Sequence, residues 1–188
     1  LDAFSASPNP DLALRRFNEF LEGLPAGVQL FSLFSVHPGL FDLVAEIMGA
    51  APRLAGWLSR YPILLDGVLG RDFFDFVPGR EEMAATLAEA AGQARDFQDF
   101  LDIQRRWAND GIFQIGAHML RGRLTPVDAS GPLSDIADTC LISLLPEIES
   151  EFAETHGRVP GGEMAVVAFG KLGSREMTPG SDLDLLFV

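Results

Sequence analysis

Proline decides what the first part of this chain can become. Four of its twelve prolines, Pro10, Pro38, Pro52 and Pro62, stand at the heads of short apolar segments. There the missing N–H costs a helix nothing, so the spacing predicts a succession of short helices. Asn9 is placed to cap the first, in which Leu14, Phe17, Phe20, Leu21 and Leu24 recur at helical spacing up to "GLPAG". A second is expected over Val28 to Val36. A third runs from Pro38 through "LFDLVAEIM" to Gly49, read as a terminating glycine, and "RLAGWLSR" and "ILLDGVL" follow. These segments are apolar at too many positions to stand alone, which predicts a bundle.

From Pro78 the pattern predicts one long, alanine-rich, charged helix, "REEMAATLAEAAGQARDFQDFLDIQRRWA", with Leu87, Phe97, Leu101 and Trp107 as its core stripe. "NDG" at 109–111 is expected to bend or end it, leaving "RRWANDG" as the end of a solvated helix, with "IFQIGAHMLRG" as a further helical piece. "RLTPVDASGP" at 123–132 is dense in breakers and reads as a linker. Ser134 is then the expected N-cap of a helix to about Thr155, closed near Gly157. After "GRVPGG" the period changes. "EMAVVAFG" is a short apolar run bounded by glycine, as expected of a strand buried on both faces, and "DLDLLFV" reads as a second strand. The expected organisation is mainly α: a helical bundle over 1–127, then the start of an α/β domain over 128–188.

Charge narrows the partners. The chain carries 27 acidic and 14 basic side chains, a formal net charge of −13. Such an excess opposes binding to a phosphate backbone, so no nucleic-acid partner is expected. Cys140 is the sole cysteine, excludes an internal disulfide, and sits in "CLISLL" as a small buried hydrophobe. No apolar stretch is long enough for a bilayer and the first residues lack a signal-peptide core, so a cytoplasmic protein with no membrane partner is expected. The chain does not start with methionine and stops inside a predicted strand, which reads as a piece of something longer. Its histidines lack zinc-site spacing, His37 is expected to cap a helix, and Trp57 and Trp107 are expected core anchors.

The chemistry concentrates in "GKLGSREMTPGSDLDLLFV". Residues i and i+2 of a strand share a face, so Asp182 and Asp184 are expected to point together while Leu183 and Leu185 enter the core. Adjacent carboxylates repel and raise each other's pKa unless a cation sits between them. A divalent metal answers that cost, and Mg²⁺ accepts a couple of carboxylates together with phosphate oxygens and water. Gly170 and Gly173 allow close backbone approach to a polyphosphate; Lys171, the chain's one lysine, adds a charge, and Ser174 and Ser181 add hydroxyls. The expected architecture is a phosphate turn, a crossover, and metal carboxylates on the adjacent strand. Either half of the motif alone is most simply a solvated turn. Joined by about ten residues between apolar strands, they are far more specific.

These residues resemble the nucleotidyltransferase superfamily that includes DNA polymerase β and kanamycin nucleotidyltransferase. That superfamily usually has Gly-Ser or Gly-Gly where this chain has Gly170-Lys171. The departure narrows the likeness: "FGKLGSREMTPGSDLDLLFV" resembles the signature of the bacterial bifunctional glutamine synthetase adenylyltransferase/adenylyl-removing enzymes. The stretch "LPAGVQLFSLFSVHPGLFDLVAEIMGAAPRLAGWLSRYPILLDGVL" resembles the segment before their second, C-terminal catalytic domain.

The resemblance implies a polymerase β-like domain and transfer of AMP from ATP to a tyrosine of glutamine synthetase. The paired half of the full protein would perform phosphorolytic removal. It further implies Asp182 and Asp184 as catalytic ligands of two Mg²⁺ ions, and Gly170, Lys171, Gly173, Ser174 and Ser181 around ATP. Glutamine would be an effector and a PII-type nitrogen-signalling protein a partner. A third carboxylate is expected on a later strand, so residues 1–188 alone are expected to be inactive. Two other classes stay open: a different nucleotidyltransferase, acting on RNA ends or an antibiotic, and a non-catalytic helical docking module.

Overall fold

Asn9 and Pro10 start the first substantial helix as the sequence predicts, and Pro38 and Pro52 likewise open the helices that begin with them. A computed structural model describes residues 2–5, 7–24, 27–70, 73–158 and 160–188, with side chains at 2, 27–29 and 66 excepted. The elements are α1 (Asp2–Ser5), α2 (Pro10–Glu22), α3 (Gly27–Val36), α4 (Pro38–Ala50), α5 (Pro52–Arg60), α6 (Leu64–Val68), α7 (Arg80–Ala91), α8 (Phe97–Leu120), α9 (Pro126–His156), β1 (Val166–Phe169), α10 (Gly170–Gly173) and β2 (Asp184–Phe187). The fold is mainly α. Contacts divide the chain into two units, Leu1–Phe76 with Gly116–Arg123 and Val77–Ile115 with Leu124–Val188. The sequence boundary at 127/128 falls in the first turn of α9.

In the first unit the Asn9 side chain accepts the Leu12 N–H at 3.2 Å, and Pro10 opens α2. Helix α2 buries Ala13, Phe17 and Phe20, while Leu14, expected inside, is exposed. Phe17 meets Phe4 and Phe41 at ring-centroid distances of 5.1 and 5.9 Å, and Phe34 meets Phe41 at 5.1 Å. These tilted and edge-on contacts, between aromatic rings from four helices, add specific geometry to the burial of large apolar area. Gly49 does not end α4, which continues to Ala50. A Cβ there would overlap the Ser7 side chain and stand 3.4 Å from Ala13 Cβ, so the glycine serves close packing. Ala51 ends α4 and also precedes Pro52 of α5. His37 occupies the N-cap position of α4 but makes no side-chain cap bond. The "GLPAG" break falls at residues 25–26, outside those described. Buried His118 has its Nε2 2.7 Å from the Phe73 carbonyl oxygen.

The second unit departs from the sequence reading in three places. First, the long predicted helix is two: α7 stops at Gly92, and the Asp96 carboxylate accepts the Asp99 N–H at 2.7 Å to start α8. Phe100 rather than Phe97 is the buried phenylalanine of that turn, and Trp107 is half-buried with its Nε1–H on Thr86 Oγ1 at 3.2 Å. Trp57, in the first unit, is also half-buried.

Second, α8 does not stop at "NDG". It runs through Gly111, whose lack of a side chain accommodates Ile136 Cδ1, 2.9 Å from where a Cβ would stand.

Third, the proposed linker is the start of α9. Thr125 Oγ1 accepts the Asp128 N–H at 3.2 Å, and Asp128 Oδ2 accepts the Thr125 N–H at 3.3 Å. This reciprocal cap outranks the breakers after it. Pro132 and Pro146 each remove one helical N–H. The carbonyls they release belong to Asp128 and Ile142, both exposed, so water can satisfy them. Ser134 is buried mid-helix with its hydroxyl on the Ser130 carbonyl at 2.7 Å. Thr125→Ala is expected to lower stability by about 1 kcal/mol in a urea titration. An unchanged midpoint would mean that the cap is not what begins this helix.

Cys140 is half-buried, and burial pushes its thiol up to about 11. Among the described residues no single helix is long and apolar enough to cross a membrane. Strands β1 and β2 pair antiparallel, Val166 opposite Phe187 through Phe169 opposite Asp184. The predicted crossover is therefore a hairpin-like return through α10. The strands are not buried on both faces either. Val167, Phe169 and Leu186 share the face of Asp184 and are 40, 52 and 49% exposed. In a two-stranded sheet, α10 and its flanks shield part of the other face only.

Candidate active site

The return from β1 to β2 joins the two halves of the sequence motif. The backbone leaves β1 at Phe169, turns at Gly170 with φ of 54°, and makes one helical turn. It comes back so that Asp184 sits across the ladder from Phe169. Gly170 is therefore beside the Asp184 carboxylate. A Cβ on Gly170 would overlap Asp184 Oδ2 and lie 3.2 Å from its Cγ. Positive φ and missing side chain are both used: only glycine lets turn and carboxylate share this space. Gly173 answers a different demand. A Cβ there would be 2.6 Å from the Ala168 carbonyl oxygen, so its absence lets α10 lie against β1. Leu172 and Met177 are buried and hold the segment from beneath.

The two aspartates are not equivalent. Asp184 begins β2, whereas Asp182 precedes the ladder. Both side chains are exposed. Leu183, expected in the core, is exposed and Leu185 half-buried, because pairing starts only at Asp184 and face alternation has no ladder to act on before it. Lys171 is exposed. Ser174 donates its hydroxyl to Glu176 Oε2 at 3.0 Å. Ser181 Oγ accepts the Thr178 N–H at 3.0 Å and lies 2.9 Å from Thr178 Oγ1, closing the turn ahead of Asp182. As placed, both hydroxyls serve local turns.

Among the described residues no three His, Cys, Asp or Glu side chains gather as a metal site. Asp182 and Asp184 offer two hard oxygen donors. That set fits Mg²⁺, which fills its remaining positions with water and phosphate oxygens.

Arg175, with Asp135 and Asp138 of α9, frames this turn, and the sequence reading passed over all of them. Arg175 has φ of 59°, and its guanidinium donates to Asp135 Oδ1 at 2.6 Å, to Asp138 Oδ2 at 3.0 Å and to the Gly131 carbonyl at 3.4 Å. Arg80 Nη2 stands 3.7 Å from the same Asp138 oxygen. The Asp135 side chain, first by its hydrogen bond, holds the Arg175 pKa above its ordinary value. The available signal was a pair of carboxylates three apart on a helix, hence on one face.

A family model described as glutamate-ammonia ligase adenylyltransferase matches residues 41–188. Over all 188 residues the chain is 43% identical to the bifunctional glutamine synthetase adenylyltransferase/adenylyl-removing enzyme of Brucella suis biovar 1, covering 19% of that protein. It is 43% identical to the enzyme of the same name from Mesorhizobium japonicum and 41% to that from Rhizobium meliloti, again over the whole chain and 19% of each relative. The chain thus spans about a fifth of the length of the curated relatives it matches. On that match, which includes the glycine turn and both aspartates, the chain belongs to the glutamate-ammonia ligase adenylyltransferase family.

Proposed function

We propose that the full-length protein transfers AMP from ATP to a tyrosine of glutamine synthetase, and that this segment contributes the opening part of the adenylylating site. The observation that carries the reading is the Asp184 carboxylate lying against the Gly170 turn, which is possible only because residue 170 has no side chain. A carboxylate and a close-approach turn side by side form the arrangement needed to hold a metal-bound polyphosphate. The names of the relatives support the target and the reaction. The resemblance of the sequence from Leu24 to Leu69 to the segment before the second catalytic domain of those enzymes supports the adenylylating half over the phosphorolytic one. In functional terms residues 1–127 are the helical region and 128–188 the first part of the nucleotidyltransferase domain.

Gly170, Lys171, Gly173 and Ser174 line the phosphates in this reading, with the exposed Lys171 ammonium offsetting their charge. Ser181 shapes the turn that delivers Asp182. Asp182 and Asp184 would hold the Mg²⁺ ions, which supply charge neutralisation at the triphosphate and activation of the tyrosine hydroxyl when bound. The protein's own share is positioning and electrostatics. Glutamine as effector, a PII-type signalling protein as partner and a cytoplasmic location complete the proposal.

The test is transfer of labelled AMP from ATP to purified glutamine synthetase by the full-length protein with Mg²⁺. Label on the synthetase, lost when its target tyrosine is changed to phenylalanine, is expected. Label on RNA or on a small molecule instead would overturn the reading.

A further inference from the structure

Arg175 is, among the described residues, the one non-glycine residue with positive φ. Backbone of that kind is unfavourable for an L side chain and persists where its surroundings over-determine it. Here they do so from both sides. The Arg175 N–H donates to the Leu172 carbonyl at 3.0 Å and the Glu176 N–H to the Lys171 carbonyl at 2.8 Å, closing the turn. The guanidinium spans two carboxylates and a carbonyl of α9, and those carboxylates are only 20 and 27% exposed. Leu172 and Met177 are buried on either side of it in sequence. An isolated surface ion pair contributes little, but a planar fork holding two partners on one helix face has geometric specificity that such a pair lacks.

We propose that Arg175 is a positioning residue: its clamp on Asp135 and Asp138 fixes the Gly170–Ser174 turn to α9 and so sets where the Asp184 carboxylate stands. The inference rests on the nucleotidyl-transfer reading of the site. With its donors committed to α9, Arg175 acts through the turn and does not touch the phosphates itself. A clamp holding a turn against a helix affects where ligand oxygens meet the site more than whether the chain folds. Misplacement by about 1 Å can cost on the order of a hundredfold in rate.

Four variants of the full-length enzyme test this: Arg175→Gln, Arg175→Gly, Asp135→Asn with Asp138→Asn, and the latter pair combined with Arg175→Gln. The first three are expected to lower kcat/KM for ATP by about ten- to a hundredfold, mainly through KM, with melting temperatures within a few degrees of the parent. The combined variant should be no worse than Arg175→Gln, because all remove one interaction. Arg175→Gly relieves the backbone, so wild-type behaviour from it would show that shape alone matters and overturn the clamp. A normal or improved KM in the Asp135/Asp138 variant would overturn it as well, placing the guanidinium on the phosphates. Amide exchange over residues 170–177 supplies an arm that needs no activity. Exchange about tenfold faster in each variant is expected, and unchanged exchange overturns the clamp. If the parent enzyme transfers no AMP, the functional reading fails while this arm still decides the clamp.

Discussion

Replacing Asp182 and Asp184 together with asparagine is expected to lower AMP transfer by the full-length protein on the order of a thousandfold or more, since loss of a single stabilising group at a reacting centre already costs about a hundred- to a thousandfold. Asparagine keeps size and an oxygen but removes the charge that a divalent cation requires. Folding should not suffer. Both side chains are exposed, and neither makes an ion pair among the described residues. Substitution of such groups changes stability by no more than about 0.5 kcal/mol. Binding to glutamine synthetase should persist, because a substitution of like size at two exposed positions leaves the fold intact. Transfer measured with labelled ATP, alongside a pull-down of the synthetase, separates the classes. Lost transfer with retained binding is the enzymatic outcome. A docking module would show both assays unmoved, and that result would remove the catalytic assignment.

Much of this architecture was legible because its signals are local. Proline at a helix head and asparagine before it act within four residues, so α2, α4 and α5 begin where the sequence places them. Gly157 closes α9 with φ of 79° for the same reason.

The misreadings came from competition between signals. Pro126 and Pro132 suggested a linker, but the reciprocal bonds of Thr125 and Asp128 begin a helix that carries both prolines. Gly49 and Gly111 suggested stops, and each is instead a place where another chain segment comes close, information that no local window contains. The motif itself was visible as composition and spacing. The antiparallel return that sets Asp184 beside Gly170 was not, because register is a long-range property. Arg175 was passed over for a related reason. Its partners Asp135 and Asp138 lie 40 and 37 residues earlier, and only the fold joins them.

Gly170→Ala is the sharper probe of the site, because its activity should fall much further than its loss of stability accounts for. Two costs are expected. The methyl group must accept φ of 54°, which disfavours an L residue by about 1–2 kcal/mol. It must also occupy space that Asp184 Oδ2 now fills. The obstructing atom is the end of a short side chain at an exposed position, so it can rotate away with little loss of stability. Under the proposed reading, rotating away is what the chemistry cannot tolerate, since it moves an oxygen assigned to Mg²⁺ by about an ångström or more and should lower kcat/KM about a hundredfold. Gly173→Ala behaves differently: its methyl would meet the Ala168 carbonyl at 2.6 Å, backbone that cannot swing aside without breaking the packing of α10 on β1. That variant should lose stability along with activity. Urea titration and AMP transfer measured on both variants check the contrast. If Gly170→Ala kept full transfer, the Asp184 carboxylate would not be needed where it stands against the turn, and the link between glycine turn and metal carboxylate would be undone.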